Sequence, residues 1–494
     1  MSDQGERGRK VVGSGVARVD LHDGRPAWAA PFELDESSRL SFGEAIARVE
    51  SAVRLGIDPS LEPMHAMLGE LCHPEGAYRC VQVAGTNGKT STARYTAAIL
   101  ESQGLSCGLY TSPHLVSYVE RVEVNGAPVG EEAFAEGVSY ALEAWRRVSL
   151  RRPELARGGC TEFELLTAAA LVMYALARVD VAVLEVGLGG RWDATSAVDT
   201  VGCAITGIGL DHMGILGDTL GKIAGEKAAV IRSGNPCVLG TNAVRPREVL
   251  DVMLARCSEQ HVTPTVVVRD GELPDALPEV RDALPRAGFE VTHRPERLGD
   301  TLEVRVGVGG REYAGIRAVA PTYQAQNIAC SVALADATLP GGLDQGGLRR
   351  AVASCPIPGR FEVVRREPLV ILDACHNPQS AEAFASAVID AEPERTRRPI
   401  LLFGALADKD HQGIARVVAP LFDHIVVTQS CSPRALPAEA LADDVERATG
   451  ARPEATVGSA AEALRQLEGK SFICCGTITL IGEIAGLMRR SASI

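Results

Sequence analysis

A short glycine-rich stretch near residue 85 holds the residue types that bind phosphate. Residues 81–91 read VQVAGTNGKTS, which predicts an apolar strand, a tight turn and the start of a helix. Glycines let the backbone approach a phosphate closely, and the first N–H groups of a helix point towards it. Lys89 adds a positive charge, and the Thr90 hydroxyl can serve a magnesium ion or a phosphate oxygen. We therefore predict a loop that holds the phosphates of ATP. Its residues are Gly85, Thr86, Asn87, Gly88, Lys89, Thr90 and Ser91.

The spacing of these glycines departs from the general phosphate-loop pattern. That pattern places a glycine five residues before Gly88, where this chain has Val83. The stretch is therefore a shortened variant. The alternative is a glycine-rich β-turn with a surface lysine, and the strand-loop-helix context favours the phosphate loop over it.

A carboxylate stands at the end of another apolar run. Glu185 closes the run 181–185, which reads VAVLE. Burying a glutamate is unfavourable unless it meets a cation, and magnesium is the natural partner because ATP brings it. The alternative is a salt bridge between Glu185 and Arg191.

Two further polar segments follow the next strand along the chain. Asp211 and His212 come after the apolar run 203–208, and Glu226 and Lys227 lie in the helical stretch beyond it. Ligands of an open parallel sheet bind beyond the carboxyl ends of its strands, so these side chains are candidates for the same site. Taken singly, the histidine is better explained as a capped surface residue and the lysine as a solvated helix residue.

The segments that position these residues alternate between short apolar runs and longer helical ones. This alternation predicts an α/β fold, with a mostly parallel sheet covered by helices. The predicted strands are 80–83, 181–186 and 203–208, and the predicted helices are 90–102, 161–178, 219–232 and 324–337. Alternating residues and glycine pairs between 263 and 318 predict an antiparallel excursion.

The two prolines and the glycine at Pro356–Gly359 predict a linker between two domains. Beyond it, apolar runs at 369–373, 399–403, 424–428 and 471–475 predict strands separated by helices, and hence a second, smaller α/β domain of the Rossmann-like kind. We predict a variable tail (1–35), an N-terminal domain with a P-loop ATPase-like fold (36–354), a linker (355–360) and a C-terminal domain (361–494).

The composition limits the class of protein. Of 494 residues, 46% are hydrophobic and 23% charged, and no run approaches the roughly 18 apolar residues of a membrane span. The first residues lack the apolar core of a secretory signal. The thirteen cysteines form no C-x-x-C pair and indicate buried thiols in a reducing cytoplasm. The net charge of -13 argues against nucleic-acid binding. We expect a soluble cytoplasmic protein that binds neither nucleic acid nor membrane.

In order along the chain, the motifs resemble those of the folylpolyglutamate synthase and dihydrofolate synthase family. That family lies within a larger group of ATP-dependent ligases, which includes the muramyl peptide ligases and shares the shortened loop G-T-N-G-K-T-S. The narrower signatures are Y-T-S-P-H-L at 110–115, E-R-V at 120–122, T-E-F-E at 161–164, E-V-G-L-G-G-R-W-D-A-T at 185–195, D-H at 211–212, E-K-A at 226–228, Q-A-Q-N at 324–327, P-G-R at 358–360, D-A-C-H-N-P at 373–378 and D-K-D at 408–410. The resemblance runs from about residue 40 to 490.

The resemblance implies a role for each matching residue. The nucleotide contacts are the loop residues with Asn327, Arg360 and Asp373; the magnesium ligands are Ser112, Glu185 and His212; the folate contacts are Thr111, Pro113 and His114; and the glutamate contacts are His376 and Thr477. Lys227 matches the lysine that is carbamylated in the family. Lys89, Lys227 and His376 are the implied catalytic residues.

The resemblance also implies an activity and its cofactors. We expect a monomeric ligase that uses ATP and Mg²⁺ to form an amide bond between L-glutamate and dihydropteroate, a reduced folate, or both, through an acyl phosphate. The C-terminal domain would then be the glutamate-ligase domain. The alternatives are a ligase of the muramyl peptide type and a nucleotide-binding homologue without catalytic activity.

Overall fold

Two β-sheets covered by helices form the protein. The computed structural model describes residues 27–52, 59–271 and 284–492. Most of the predicted tail, residues 1–26, lies outside the described residues. Both sheets are predominantly parallel, which confirms the predicted α/β class. No helix in the described ranges is both long enough and apolar enough to cross a membrane.

The larger sheet contains the strands of the first two-thirds of the chain. These strands are β1 (Arg79–Ala84), β2 (Cys107–Tyr110), β3 (Val122–Val124), β4 (Ala127–Pro128), β5 (Val181–Glu185), β6 (Gly202–Gly207), β7 (Cys237–Asn242), β8 (Thr265–Arg269), β9 (Arg286–His293), β10 (Thr301–Val308) and β11 (Arg311–Val319). Their order is β11-β10-β9-β8-β7-β6-β1-β5-β2-β3-β4. Strand β1 therefore lies between β5 and β6, which brings three predicted site segments side by side.

The smaller sheet contains the remaining strands. These are β12 (Glu362–Arg366), β13 (Leu369–Asp373), β14 (Ile400–Phe403), β15 (Ile425–Thr428), β16 (Ala455–Val457) and β17 (Phe472–Cys475), in the order β12-β13-β17-β14-β15-β16. Only β12 is paired in the antiparallel sense within this described sheet. The four strands predicted for this part of the chain are confirmed.

Helices cover both sheets. Those of the larger layer are α1 (Phe42–Glu50), α2 (Glu62–Glu70), α3 (Lys89–Ser102), α4 (Glu131–Arg151), α5 (Pro153–Ala156), α6 (Glu162–Ala177), α7 (Met213–Leu216), α8 (Leu220–Ala228), α9 (Arg247–Glu259), α10 (Gln324–Thr338) and α11 (Gln345–Ser354). Those of the smaller layer are α12 (Pro378–Ala391), α13 (His411–Val418), α14 (Ala438–Thr449), α15 (Ala460–Gln466) and α16 (Ile478–Ala492). Short 3-10 turns span Pro74–Ala77, Tyr118–Arg121, Ala194–Ala197, Arg395–Arg397 and Ala419–Leu421.

Local sequence explains where the helices that flank the site begin. The Thr161 side chain accepts a hydrogen bond from the Glu164 N–H, and the Glu164 carboxylate accepts one from the Thr161 N–H. This reciprocal capping box satisfies free N–H groups at the start of α6. Asn377 forms the equivalent cap on α12, with Pro378 as the first helical residue.

Alternate residues of the central strand pack on opposite faces of the sheet. In β1, Val81 and Val83 belong to the core shared with α3 and α10, whereas Cys80 belongs to the core shared with α4 and α6. Because both faces of a parallel sheet are covered, its strands are apolar nearly throughout. Polar groups are thereby concentrated at the strand ends.

Two boundary predictions were wrong in detail. The antiparallel part was predicted to begin near residue 263, but β8 pairs in parallel with both β7 and β9, and antiparallel pairing begins only between β9 and β10. The helix predicted over 219–232 ends at Ala228. Apolar β-branched runs do not specify the direction of pairing, which is decided by the connections between strands.

Candidate functional site

The phosphate-loop residues connect the end of β1 to the start of α3, and two positions require glycine. Gly85 has φ +146°, and a Cβ there would lie 2.0 Å from Thr206 Oγ1. Gly88 has φ +86°, and its Cβ would lie 2.6 Å from Asn327 Oδ1. The positive φ angles and the close neighbours exclude larger side chains. Thr206 itself donates to the Asn87 carbonyl at 2.6 Å, which holds the turn against β6.

Lys89 is the first residue of α3 and points back over the loop. Its Nζ donates to the Thr86 carbonyl at 3.2 Å. Burial lowers the pKa of Lys89, and the nearby Glu185 carboxylate offsets part of that effect. The lysine therefore stands in a place where an anionic ligand would favour its charged form. Ser91, two residues on, is buried and accepts a hydrogen bond from Gln324 Nε2 at 3.1 Å.

Glu185 ends β5 directly beside the phosphate loop. It pairs in register with Val83 on β1 and is only 1% exposed. Its carboxylate accepts from Thr90 Oγ1 at 2.8 Å and from the Ser112 N–H at 3.1 Å. Burial raises the pKa of Glu185, while Lys89 acts in the opposite direction. A buried carboxylate with this environment is suited to bind a cation.

The other two predicted metal ligands line the same cavity as Glu185. Ser112 follows β2, and His212 precedes α7 with φ +50°. Burial lowers the pKa of His212, which favours the neutral imidazole that binds metals. Carboxylate, hydroxyl and imidazole donors suit a hard divalent cation such as Mg²⁺. Within the described ranges, no group of three or more His, Cys, Asp and Glu side chains is placed to hold a metal by itself. The donor set thus fits a metal that also binds a ligand's oxygens.

Lys227 lies on α8 and is 4% exposed. Burial, together with the positive charge of Lys89, lowers its pKa to about 7. The side chain lines the phosphate-loop cavity. A lysine with a lowered pKa loses its proton, and so becomes a nucleophilic amine, at a lower pH than an exposed lysine does.

The predicted nucleotide contacts outside the loop also line this cavity, whose volume is about 260 Å³. Asn327 on α10 donates to Gln324 Oε1 at 2.8 Å. Asp373 ends β13 and accepts from the Tyr323 hydroxyl at 3.1 Å. Burial raises the pKa of Asp373, and Arg360 opposes that effect. The linker arginine thus stands next to a carboxylate of the smaller sheet.

A bridge of charged side chains joins the two sheets at the cavity. Lys409 Nζ lies 2.9 Å from Asp211 Oδ1, and His376 Nε2 lies 3.5 Å from Asp211 Oδ2. Although burial opposes ionisation of Asp211, the hydrogen bonds from His376 and Lys409 hold its pKa well below the usual range. The sequence motifs contained Asp211 and Lys409, but no role was assigned to either. The only signal in the sequence for an ion pair between Asp211 and Lys409 is that residues of opposite charge follow two predicted strands.

A larger cavity of about 750 Å³ adjoins the first. The residues that line both cavities are Ser112, Pro113, Gly187, Leu188, His212, Leu216, Arg360 and His376. The lining of the larger cavity combines apolar, basic and acidic side chains. The apolar ones include Pro113, Phe163, Leu188, Trp192, Ile215 and Leu216, the basic ones are Arg121, Arg360, His376, Lys409 and Arg434, and the acidic ones are Glu164, Asp193 and Glu226. Phe163, Trp192, Arg121 and Arg434 were not predicted as site residues.

The predicted glutamate and folate residues are distributed unevenly around this larger cavity. Thr477, His376 and Pro113 line it. Thr111 is buried, and His114 packs against the Tyr118 ring at 4.3 Å and accepts from Arg121 Nε at 2.9 Å. Neither Thr111 nor His114 belongs to the described lining of the two cavities. Thr111 and His114 therefore lie behind the wall of the larger cavity, next to residues that form this wall.

Known proteins are similar to this chain in both sequence and architecture. A family model described as the Mur ligase glutamate ligase domain matches residues 359–477. The chain is 36% identical over 396 residues to the dihydrofolate synthase/folylpolyglutamate synthase of Mycobacterium tuberculosis, covering 78% of this chain and 77% of the relative. It is 32% identical over 414 residues to the Bacillus subtilis protein of the same description, covering 82% and 89%.

Solved structures match over nearly their whole length. Folylpolyglutamate synthase of M. tuberculosis, complexed with ADP and AMPPCP, superposes with a TM-score of 0.77 at 30% identity, over 90% of this chain and 99% of that one. FolC of E. coli in complex with DHPP and ADP gives 0.75 at 26%, over 92% and 99%. A bifunctional folylpolyglutamate synthase/dihydrofolate synthase with Mn, AMPPNP and L-glutamate bound gives 0.73 at 27%, over 92% and 100%. The predicted resemblance is confirmed.

Proposed function

From the premise that this chain belongs to the dihydrofolate synthase/folylpolyglutamate synthase family and is an ATP-dependent ligase, we propose that it joins L-glutamate to dihydropteroate and to reduced folates. The observation that carries the proposal is the larger cavity, which is lined by both apolar and basic side chains and adjoins the cavity of the phosphate loop. A pterin and an aminobenzoyl ring need apolar contact, while the carboxylates of a folate and of glutamate need cations. Both occur in one cavity beside the ATP site.

In the first step the substrate carboxylate attacks the γ-phosphate of ATP and forms an acyl phosphate, with ADP leaving. Such phosphoryl transfer depends on positioning and charge neutralisation more than on covalent catalysis. Lys89 and the N–H groups at the start of α3 hold the phosphates. We propose Arg360, which lines both cavities, as a further contact to the nucleotide.

In the second step the amine of L-glutamate attacks the acyl carbon, and phosphate leaves. The amine must arrive unprotonated, and water must be kept from the acyl phosphate. His376 lies on the wall that the two cavities share, and Thr477 lies on the wall of the larger one. These two residues face the incoming glutamate in our proposal, with His376 accepting the proton from its amine.

We further propose Ser112, Glu185 and His212 as the residues that hold Mg²⁺. When bound there, the ion would neutralise charge on the phosphates and align them for transfer. The buried Glu185 carboxylate, which accepts only from Thr90 and Ser112 among the described hydrogen bonds, supports this role. Asn327 and Asp373 complete the proposed nucleotide contacts.

Lys227 is the proposed site of carbamylation. Carbon dioxide adds to a neutral amine, and the burial that lowers the Lys227 pKa to about 7 supplies that form. The carbamate would place a negative charge close to the proposed metal ligands, which line the same cavity.

The remaining assignments follow from the same family membership. Pro113 is proposed to contact the folate directly, while Thr111 and His114 shape the wall from behind. We keep the predicted linker at residues 355–360. The last helix of the larger layer, α11, ends just before it, and the first strand of the smaller sheet, β12, begins just after it. We propose a monomer that acts in the cytoplasm and binds neither nucleic acid nor membrane.

The test compares both acceptors side by side. Purified protein is supplied with ATP, Mg²⁺ and L-glutamate, with either dihydropteroate or tetrahydrofolate as acceptor. Phosphate release and the mass of the amide product are then measured. We expect both acceptors to gain a glutamate, and a chelator to stop the reaction until Mg²⁺ is restored. Absence of product with both acceptors would overturn the proposal, whereas product from one alone would restrict it to a single synthase activity.

A further inference from the structure

The side chain of one phosphate-loop residue is hydrogen-bonded to the start of α12, a helix of the smaller layer. Asn87 Nδ2 donates to Gln379 Oε1 at 2.9 Å, and Asn87 Oδ1 accepts from Asn377 Nδ2 at 3.3 Å. Both polar ends of the Asn87 amide are thus used by the first turn of α12. We call Asn87, Asn377 and Gln379 the amide clamp.

The clamp is fixed rigidly on its α12 side. Asn377 is the cap of α12, and its Oδ1 accepts from the Ser380 N–H at 2.8 Å. Asn377 therefore caps the helix with its Oδ1 and donates to the phosphate loop with its Nδ2. Because His376 immediately precedes Asn377, a displacement of the clamp also displaces His376.

The backbone beside the clamp leaves room for it. Gly209 follows β6, and its N–H donates to Thr86 Oγ1 at 3.0 Å, so this segment moves with the phosphate loop. A Cβ on Gly209 would lie 2.1 Å from Gln379 Oε1. Gln379 reaches Asn87 only because residue 209 has no side chain.

We propose that the amide clamp aligns the phosphate loop with His376, and that Gln379 is a positioning residue acting through Asn87. The inference rests on the ligase function proposed above. The acyl phosphate forms beside the phosphate loop, whereas the amine arrives beside His376 and Thr477. A closed clamp sets these two sides in register, so the amine reaches the acyl carbon before water does.

Loss of the clamp has a defined chemical consequence. When the two sides are out of register, water attacks the acyl phosphate, the bond between the acyl carbon and the phosphate oxygen breaks, and the carboxylate and phosphate are released. ATP is then consumed with no amide formed. The quantity that reports the clamp is therefore the phosphate released per amide bond, which a loss of general stability does not change.

The experiment compares three single variants with the wild type at saturating ATP and glutamate. Gln379→Leu removes the acceptor for Asn87 at similar volume. Gly209→Ala alters no clamp residue but displaces the flexible end of Gln379, which the fold tolerates. Thr322→Val is the matched control, because it removes a different hydrogen bond between the larger layer and α12, from Thr322 Oγ1 to Asp390 Oδ2 at 3.0 Å.

We expect a wild-type ratio of one phosphate per amide bond, a severalfold higher ratio in Gln379→Leu and Gly209→Ala, and an unchanged ratio in Thr322→Val. The double variant Gly209→Ala with Gln379→Leu should be no worse than Gln379→Leu alone, since both substitutions act on the same contact between Gln379 and Asn87. The clamp proposal would be overturned if Gln379→Leu and Gly209→Ala both kept the wild-type ratio. It would also be overturned if the ratio in the double variant rose by the sum of the two single increases. A wild type that forms no amide would instead overturn the proposed function.

Discussion

At the scale of single residues, the cavity holds ionisable groups whose burial disfavours their charged forms. Burial lowers the pKa values of Lys89 and Lys227 and raises that of Glu185. A partner of opposite sign opposes this effect, and in our proposal these partners are the phosphates for Lys89 and a divalent cation for Glu185. Perturbed pKa values concentrated in one cleft are typical of functional sites.

Replacing Lys89 tests the charge on the phosphates. We expect Lys89→Ala to lower kcat by at least about 100-fold, because it removes a preorganised cation from the transferred phosphate. The fold should be retained, since Lys89 donates only to the Thr86 carbonyl among the described hydrogen bonds. Turnover is measured with either acceptor, and circular dichroism checks folding. Unchanged turnover in the folded variant would remove Lys89 from the mechanism.

Replacing Lys227 tests the carbamate. We expect Lys227→Ala to be slow and to recover part of its activity when formate or acetate is added, because a small carboxylate can occupy the place of the carbamate. Lys222→Ala is the control, since Lys222 lies on the same helix, α8, but forms an exposed pair with Asp218. Its activity should be near that of the wild type and independent of added carboxylate. A Lys227→Ala variant that no carboxylate restores would leave the carbamate unsupported.

At the scale of elements, the phosphate loop owes its shape to contacts with neighbouring strands and helices. Gly85 is opposed by Thr206 at the end of β6, and Gly88 by Asn327 on α10. The first turn of α3 is thereby presented to the cavity with its N–H groups free, which is the arrangement that binds anions. The loop conformation is therefore set by three elements together.

Substitution of Gly85 tests this arrangement. A Cβ at Gly85 would lie 2.0 Å from Thr206 Oγ1, and φ +146° is unfavourable for alanine. We expect Gly85→Ala to cost about 1–3 kcal/mol of loop strain and to weaken ATP binding about 10-fold or more. Gly76→Ala is a control, because nothing lies within 4 Å of its Cβ position. ATP affinity is measured by calorimetry, and equal affinities in the two variants would contradict the argument.

At the scale of the whole molecule, the site exists only where the two sheets meet. The larger layer supplies the phosphate loop and Glu185, and the smaller supplies Asp373, His376 and Lys409. Asp211 connects the layers through Lys409 and His376, and both members of its ion pair with Lys409 are largely buried. The relative position of the sheets therefore determines the distance between the nucleotide and the second substrate.

Neutralising Asp211 tests this connection. Asp211→Asn keeps the shape of the side chain but leaves Lys409 without its counter-charge. We expect this to destabilise the contact between the two layers by about 1–3 kcal/mol. We expect kcat/KM for glutamate to fall about 10-fold. Asp443→Asn is the control, because its exposed pair with Arg452 stays within the smaller layer and such pairs contribute little. Equal kinetics in both variants would show that the bridge has no role in alignment.

Some of this protein was determined by its sequence alone. The apolar runs predicted β1, β5, β6 and the main strands of the smaller sheet, because burial on both faces requires continuous apolar residues. The phosphate loop was predictable because glycines and a helix start are local features. Glu185 was recognisable for the same reason, since a carboxylate that ends a buried apolar strand is unfavourable unless a cation meets it.

Only the tertiary structure decided which strand ends meet. Asn87 and Gln379 are 292 residues apart, and Asp211 and Lys409 are 198 apart. Neither spacing contains information about contact, because the distance across a folded chain depends on strand order and on how the sheets pack. The parallel pairing of β8 and the position of His114 behind the cavity wall were decided in the same way. The sequence determines which chemical groups each segment carries. The geometry of a site shared by two sheets is determined only when the two sheets pack together.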